Sequence, residues 1–119
     1  MPKTADRVQD SSTTTGVGNF TLSGTPSSGY QAFGTVFSTG DVIYYAIVQT
    51  SSTEWEVGVG TMLSSTSFSR NIILDGSSGP GTLVNFTGNT VVFNTQPARD
   101  VKRGSWGLSI SRMNNLFLP

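Results

Sequence analysis

Clusters of small, turn-forming residues interrupt the chain at short and regular intervals between residues 16 and 96. The runs between the clusters are rich in Val, Ile, Tyr, Phe and Thr, whereas the clusters consist of Gly, Ser, Thr and Pro. Short β-prone runs that alternate with turn residues are typical of all-β proteins. The chain of 119 residues fits one such domain with a single modest core.

Seven strands are predicted in this region from residue type and spacing. They span residues 19–23, 30–37, 41–49, 53–62, 66–74, 82–86 and 90–95. A short Thr/Ser linker joins the third and fourth strands, and a Gly-Asn corner joins the last two, so we expect a hairpin at each place. We therefore predict an all-β fold, a small antiparallel β-sandwich or barrel of about seven strands, with extended N- and C-terminal arms.

The fourth predicted strand has one apolar face and one acidic face. Because side chains alternate along a strand, Trp55, Val57 and Val59 share one face, whereas Glu54 and Glu56 share the other. We expect the apolar face to pack in the core and both acids to face water. Trp55 should then pack beside the preceding strand.

The third predicted strand, residues 41–49, is apolar on both faces. A strand of this kind needs cover on both sides. It should therefore be a central strand of the sheet, or one of its faces should meet another subunit.

The terminal segments differ from the body in composition. Residues 1–15 are polar and are expected to form an arm, residues 16–98 form the β body, and residues 99–119 form a second arm that is both basic and apolar. Residues 1–96 carry three basic and six acidic side chains, a net charge of −3, whereas residues 97–119 carry four basic and one acidic, a net charge of +3. The charge of the C-terminal arm thus complements that of the body.

The C-terminal arm contains the candidate subunit-interface residues. These basic and apolar side chains are Arg99, Lys102, Arg103, Trp106, Ile110 and Phe117. We expect the apolar side chains to anchor the arm on a neighbouring copy and the basic ones to meet acids there. The alternative is that the arm folds back as an extra strand on its own sheet.

Cysteine and histidine are both missing from the sequence. Thiolate nucleophiles, zinc fingers and imidazole acid–base catalysis are therefore excluded, and a Ser-His-Asp triad cannot be assembled. Glu54 and Glu56 are candidates for a catalytic carboxylate pair, but a solvated strand face is the expected arrangement. The loop that begins at Asp75 lacks the spaced acids of a calcium site. We predict no catalytic residue, no metal site and no cofactor, and hence no enzyme.

Neither nucleic acid nor a membrane is an expected partner. The four scattered basic residues of the arm fall short of the basic stripe that nucleic-acid binding requires. No apolar run approaches the roughly 18 residues of a membrane span, and the N-terminus lacks the apolar core of a signal peptide. Aromatic residues such as Tyr30, Tyr44 and Trp55 would allow a host-surface glycan to bind if they were exposed.

The order of several short motifs resembles that of a module found in virion proteins of tailed bacteriophages. The motifs are DRVQDSSTTTGVGNFTLSG, GYQAF, YYAIV, EWEVGVGT, SFSRNIIL and VNFTGNTVVFNTQPA, over residues 6–98. The most specific part of the pattern is WEVGVGT at its distance before SRNIIL, followed by VNF, Gly, VF and PA. The module occurs on short stand-alone chains and within tail-fibre proteins. Residues after Ala98 lie outside it.

This resemblance implies a non-enzymatic structural subunit of a phage particle. Such a subunit is made in the host bacterial cytoplasm and assembles with other virion proteins and with copies of itself, as a trimer or a larger ring. A tail-fibre or tail-adaptor position is favoured because the module occurs in fibre proteins. A capsid decoration protein, such as a cement or head-spike protein, and a receptor- or glycan-binding module are the alternatives.

Overall fold

The computed structural model describes residues 2–95, and within this range the protein is all-β. Seven strands form one curled antiparallel sheet with the shape of a half-barrel, which confirms the predicted fold class. The strands are β1 (Gln9–Ser12), β2 (Phe20–Thr21), β3 (Val42–Gln49), β4 (Trp55–Ser64), β5 (Ser67–Phe68), β6 (Ile72–Gly76) and β7 (Thr90–Phe93). One helical turn, α1 (Phe33–Val36), lies between β2 and β3.

β3 lies in the middle of the sheet. The strand order is β1-β7-β3-β4-β5-β2, and β6 pairs with β4. β3 and β4 form the predicted hairpin, with Val48 opposite Trp55, and β3 also pairs with β7, with Ala46 opposite Phe93. The central position of β3 agrees with the prediction made from its two apolar faces.

The core lies on the inner face of the sheet and is rich in aromatic rings. β3 contributes Ile43, Tyr45 and Ile47, all of them fully buried. The ring centroid of Phe68 lies 6.0 Å from that of Phe20 and 5.0 Å from that of Tyr45. The other members of the core cluster are Val8, Leu22, Phe33, Phe37, Met62, Val84, Phe86 and Val92. Complete burial of one such apolar side chain contributes about 1.5–3 kcal/mol.

The sequence predicts a strand over residues 30–37, but this segment contains the helical turn α1. Phe33 and Phe37 are both buried, and their ring centroids are 6.0 Å apart. One turn of helix brings side chains four residues apart onto the same face, whereas four residues of strand would separate them by about 13 Å. The helical turn is therefore the conformation that lets both rings enter the core together.

The sequence also predicts a strand over residues 82–86, and the structure has none there. Val84 and Phe86 are fully buried, but the backbone N–H of Val84 donates to Oε1 of Glu56 at 2.9 Å rather than to a neighbouring strand. Within this segment, Phe86 forms an isolated bridge with Gly16. The predicted second hairpin is therefore wrong, and β7 pairs with β3 and β1 instead.

Residues 1–15, predicted to be a polar arm, contribute β1 to the sheet, where it pairs with β7. Val8 is buried in the core. The buried carboxylate of Asp10 accepts hydrogen bonds from the backbone N–H groups of Ser11 at 2.7 Å and of Gly24 at 3.0 Å. A polar segment can enter the sheet in this way because its inward polar groups find partners.

Candidate functional site

The candidate carboxylate pair does not form. Glu56 is fully buried on the inner face, where it lies opposite Ile47, whereas Glu54 precedes β4 and is partly exposed. Trp55 points the other way and is 37% exposed. The predicted assignment of the two faces of β4 is therefore wrong, since the acid is inside and the tryptophan is outside. The cause is the partner that Glu56 finds in the interior, which is Arg70.

Arg70 and Tyr45 hold both oxygens of the Glu56 carboxylate. Nη2 of Arg70 lies 2.5 Å from Oε1, and Nε lies 2.9 Å from Oε2, so the ion pair is bidentate. The hydroxyl of Tyr45 donates to Oε2 at 2.6 Å, and the backbone N–H of Val84 donates to Oε1 at 2.9 Å. Each oxygen accepts two hydrogen bonds, which is the compensation that a buried charge requires.

The remaining donors of Arg70 bind backbone carbonyls. Nη1 donates to the oxygens of Gly16 at 3.2 Å and Gly18 at 3.3 Å, and Nη2 donates to that of Val84 at 2.7 Å. All five N–H groups of the guanidinium thus have acceptors. The guanidinium carbon also lies 5.1 Å from the ring centroid of Phe20. One side chain therefore ties the loop before β2 and the segment before β7 to β4.

Two glycines beside Glu56 make room for this network. Gly58 and Gly60 lie on the same inner face of β4. A Cβ atom at Gly58 would stand 2.6 Å from the hydroxyl oxygen of Tyr45, and one at Gly60 would stand 1.9 Å from the carbonyl oxygen of Ser69. Real Cβ atoms do not make such short contacts. The VGVG sequence therefore reflects close packing as well as the register shift that β4 shows against β6.

The Glu56–Arg70 pair has the chemistry of a structural element. The side chain of Glu56 is 0% exposed and that of Arg70 is 1% exposed, and protein donors occupy the carboxylate, so a substrate has no access to it. Burial and the adjoining carboxylate raise the pKa of Tyr45, so its phenol stays protonated and continues to donate. The arrangement holds the sheet and its loops together.

The Tyr45 phenol should make the stability of the fold sensitive to alkaline pH. Because its pKa in the folded protein is raised above its ordinary value of 10.0, its stabilising contribution is complete below that pH and declines as the pH rises further. The decline approaches about 1.4 kcal/mol per pH unit. We expect the urea midpoint of the protein to fall more steeply above about pH 10 than that of Tyr45→Phe. Equal slopes for the two proteins would contradict this prediction.

Neither Arg70 nor Tyr45 is evident as a partner of Glu56 from the sequence. One signal is present, because Arg70 is the only basic residue between Arg7 and Arg99. A lone cation in the middle of an apolar β body is a candidate for a buried pair with one of the acids. Which acid it meets depends on strand pairing, since the two residues are 14 positions apart in the chain.

The opposite face of the sheet is also apolar. Its exposed large side chains, which we call the outer apolar face, are Val42, Val48, Trp55, Leu63 and Ile72, and they are between 37% and 56% exposed. They lie on β3, β4 and β6, around Tyr44, Ala46 and Val59, which share this face but are buried. An antiparallel sheet with one face in the core commonly presents polar side chains on the other. The outer apolar face is therefore suited to a further contact.

Two acids lie near the Trp55 end of the outer apolar face. Asp75 is exposed and lies opposite Val57 in the pairing of β4 with β6, and Glu54 is adjacent to Trp55. The carboxylate of Glu54 accepts a hydrogen bond from Oγ of Ser77 at 2.6 Å. Neither acid forms a salt bridge within the described part of the chain. A cation that approached this end would meet two negative charges.

The other end of β3 carries an acid that is already paired. Nζ of Lys3 lies 3.1 Å from Oδ1 of Asp41, the residue before Val42. The backbone N–H of Ser38 and the side chain of Lys3 both hold the pKa of Asp41 below its usual value. The two ends of the outer apolar face thus differ in charge.

An open groove of about 350 Å³ lies where β1 meets β7, and Arg7, Tyr30 and Phe93 are among its lining residues. The guanidinium carbon of Arg7 lies 4.1 Å from the ring centroid of Tyr30, which is 36% exposed. Of the aromatic residues considered for a glycan, Tyr30 and Trp55 are exposed, whereas Tyr44 is buried.

The interface residues predicted in the C-terminal arm lie outside the described residues. They are Arg99, Lys102, Arg103, Trp106, Ile110 and Phe117. Within residues 2–95, no three acidic, histidine or cysteine side chains are grouped so that they could hold a metal ion. No helix in the same range is long and apolar enough to cross a membrane.

No protein family, curated protein or solved structure was found to match this chain. The two features that matter are the buried pair, which stabilises the fold, and the outer apolar face with its flanking acids, which is suited to a partner.

Proposed function

We propose that this protein is a non-enzymatic structural subunit of a tailed-phage virion, a tail-fibre or tail-adaptor component that assembles in several copies. The motif order that resembles the virion module supports this proposal because it extends over residues 6–98. A capsid decoration protein is the alternative position within the same class. In either position, the subunit is made in the host bacterial cytoplasm and joins the particle through contacts with other virion proteins and its own copies.

The structural observation that supports assembly most directly is the outer apolar face. Several exposed large apolar side chains on one side of a sheet are typical of a surface that contacts another protein. The buried Glu56–Arg70 pair supports a non-enzymatic role, because the carboxylate that was a candidate for catalysis is bound to Arg70 and stabilises the fold. These features favour a stable module that functions through its surface.

The C-terminal arm is the second surface that we propose for contacts between subunits. Its basic residues complement the acids of the body, and its apolar residues provide anchors. They are Arg99, Lys102 and Arg103, and Trp106, Ile110 and Phe117. An arm of this kind helps a small body to reach the roughly 800 Å² per partner that a stable interface buries.

Deletion of residues 99–119 tests the role of the arm. We expect the full chain to form a trimer or a larger ring, and the truncated chain to be a folded monomer, because the described residues, 2–95, already contain seven paired strands and a core cluster. Native mass spectrometry measures the assembly, and circular dichroism measures the fold. A truncated chain that unfolds would show that the arm belongs to the core. A full chain that stays monomeric at high concentration would contradict the proposed assembly.

The number of copies in purified particles distinguishes the positions within the virion. Symmetry places a decoration protein on the order of hundreds of times on a capsid, and a tail or neck component a few to a few dozen times. Quantitative mass spectrometry of the particles gives this number directly.

A receptor- or glycan-binding module is the second candidate function, and one observation favours it. Tyr30 and Arg7 form an exposed aromatic–cation pair beside an open groove, which is an arrangement that can hold a sugar ring. A monomeric protein that binds glycans on an array would favour this function over a structural subunit.

A further inference from the structure

We infer that the open groove where β1 meets β7 binds an acidic sugar, that is, a sugar ring with a carboxylate, and that Arg7 binds the carboxylate. The inferred site rests on the second candidate function, glycan binding, and adds to it the class of sugar and the residue that selects it. It lies within one chain, between β1, β7 and the segment that contains Tyr30. The site therefore needs no second copy of the protein.

Three contacts hold Arg7 beside this groove. Its Nε donates to the carbonyl oxygen of Gly29 at 3.1 Å, and its guanidinium carbon lies 4.1 Å from the ring centroid of Tyr30. Its own carbonyl oxygen accepts a hydrogen bond from the N–H of Gln31 at 2.6 Å. The backbone and the side chain are thus both attached to residues 29–31. Because the guanidinium is already in place, a ligand does not have to order a free side chain when it binds.

The backbone of Arg7 adopts a conformation that ordinarily favours glycine. Its φ is 57°, and within the described part of the chain it is the only residue other than glycine with a positive φ. Gly or Asn would adopt this conformation more easily than arginine. Residues held in such conformations are common at binding sites. The turn itself therefore gives no reason for an arginine at this position.

Most donors of Arg7 remain available to a ligand. Of its five N–H groups, only that of Nε has an acceptor within residues 2–95. Neither salt bridge of this range includes Arg7 or Asp6, its exposed neighbour in the chain. A guanidinium with both Nη atoms free matches the two oxygens of a carboxylate, which accept two parallel hydrogen bonds.

The groove provides an aromatic surface close to this guanidinium. Phe93 lies opposite Gln9 in the pairing of β1 with β7, and both residues line the groove. Val92 is fully buried, so alternation places the ring of Phe93 on the outer side of the sheet, where it is half-buried. An aromatic ring in this position can pack against the C–H groups of a sugar ring.

Neutral polar groups complete the lining of the groove. Gln9 and Thr95 provide an amide and a hydroxyl, which can exchange hydrogen bonds with the hydroxyl groups of a sugar. The volume of about 350 Å³ lies within the range of small-ligand sites, which runs from about 300 to 1,000 Å³. One cation beside an aromatic ring and neutral polar groups matches a sugar with a single carboxylate, whereas a phosphate monoester would bring nearly two negative charges to it.

Binding to the unmodified, full-length protein tests the class of sugar. The acidic probes are methyl glucuronide, methyl galacturonide and N-acetylneuraminic acid, and the neutral counterparts are methyl glucoside and methyl galactoside. In NMR titrations, we expect an acidic probe to bind about ten-fold or more tightly than the neutral ones and to shift the amide signals of Arg7, Tyr30 and Phe93. Equal binding of acidic and neutral probes, no binding of any acidic probe, or shifts confined to other residues would overturn the inference.

Arg7→Asn tests the residue that selects the acid. The substitution removes the guanidinium but suits the backbone, because Asn adopts a positive φ readily. We expect the affinity for the acidic probe to fall by about ten-fold or more, while circular dichroism shows that the fold is retained. Lys3→Gln is the matched control, since it removes the same charge from a side chain that does not line the groove, and its affinity should be unchanged. Equal affinities of the two variants would contradict the role of Arg7 and overturn the inference.

The outcomes separate this site from the proposed function. Protein that assembles by native mass spectrometry but binds none of the acidic probes overturns the site and leaves the structural subunit intact. Protein that is monomeric and binds an acidic probe in this groove contradicts the assembly and supports the site. Equal binding of neutral sugars in the same groove supports glycan binding in general and overturns the preference for an acid.

Discussion

Replacement of Glu56 with Gln is expected to lower the free energy of unfolding by about 3–5 kcal/mol. The substitution keeps the shape of the side chain but removes its charge, so the Arg70 guanidinium, which is 1% exposed, becomes an unpaired charge in the interior. A domain of this size has roughly 5–15 kcal/mol of stability in total. The variant should therefore be close to unfolding in water, and its urea midpoint should fall accordingly.

Glu54→Gln is the matched control, because it removes a partly exposed acid of the same type two residues away. Its effect should stay within about 0.5 kcal/mol. A double variant, Glu56→Gln with Arg70→Met, contains no unpaired charge, so its loss should be smaller than the sum of the two single losses. Equal stability of Glu56→Gln and Glu54→Gln would contradict the structural role of the pair.

Gly60→Ala is the second substitution with a large expected effect, a loss of about 3 kcal/mol. The new Cβ atom would stand 1.9 Å from the carbonyl oxygen of Ser69. That oxygen belongs to a backbone segment held against β4, since the N–H of Ser69 donates to the carbonyl oxygen of Thr61 at 3.0 Å. The segment cannot move away without breaking the pairing next to Arg70.

Gly18→Ala controls for the substitution itself, because nothing lies within 4 Å of a Cβ atom at Gly18. We expect this variant to melt within a few degrees of the unmodified protein, which corresponds to less than about 1 kcal/mol. Thermal unfolding of both variants, followed side by side, measures the difference. If Gly60→Ala melted at the same temperature as Gly18→Ala, the close approach of the Ser69 segment would not constrain the fold.

Residue type and spacing were sufficient to predict the fold class, because strands and turns leave local signals. The hairpin of β3 and β4 was predicted from three features, which are the continuous apolar run of β3, the alternating pattern of β4 and the polar linker between them. The two apolar faces of β3 predicted its place inside the sheet. These features depend on residues close together in the chain, which is why they can be predicted from the sequence.

Predictions that depend on distant partners were the ones that differed from the structure. Residues 30–37 contain a helical turn because Phe33 and Phe37 reach the same core together. Val84 is not in a strand, because its N–H meets a side chain instead. Residues 9–12 join the sheet because they pair with β7 and because their inward polar side chains bond to the segment around β2, as Asp10 does to Gly24 and Ser12 to Thr21. In each case, a tertiary contact outweighed a local preference.

The sequence by itself determined an all-β, largely antiparallel architecture and ruled out thiol and imidazole chemistry. Alternation along β4 also established that Trp55 and Glu56 point to opposite sides. Only the tertiary structure decided which side is the interior. Pairing of β4 with β5 and β6 brings Arg70 to Glu56, and a bidentate partner with full hydrogen bonding offsets the cost of burying a carboxylate. Hydrophobicity alone places Glu56 on the solvent side, because it contains no information about the pairing with Arg70.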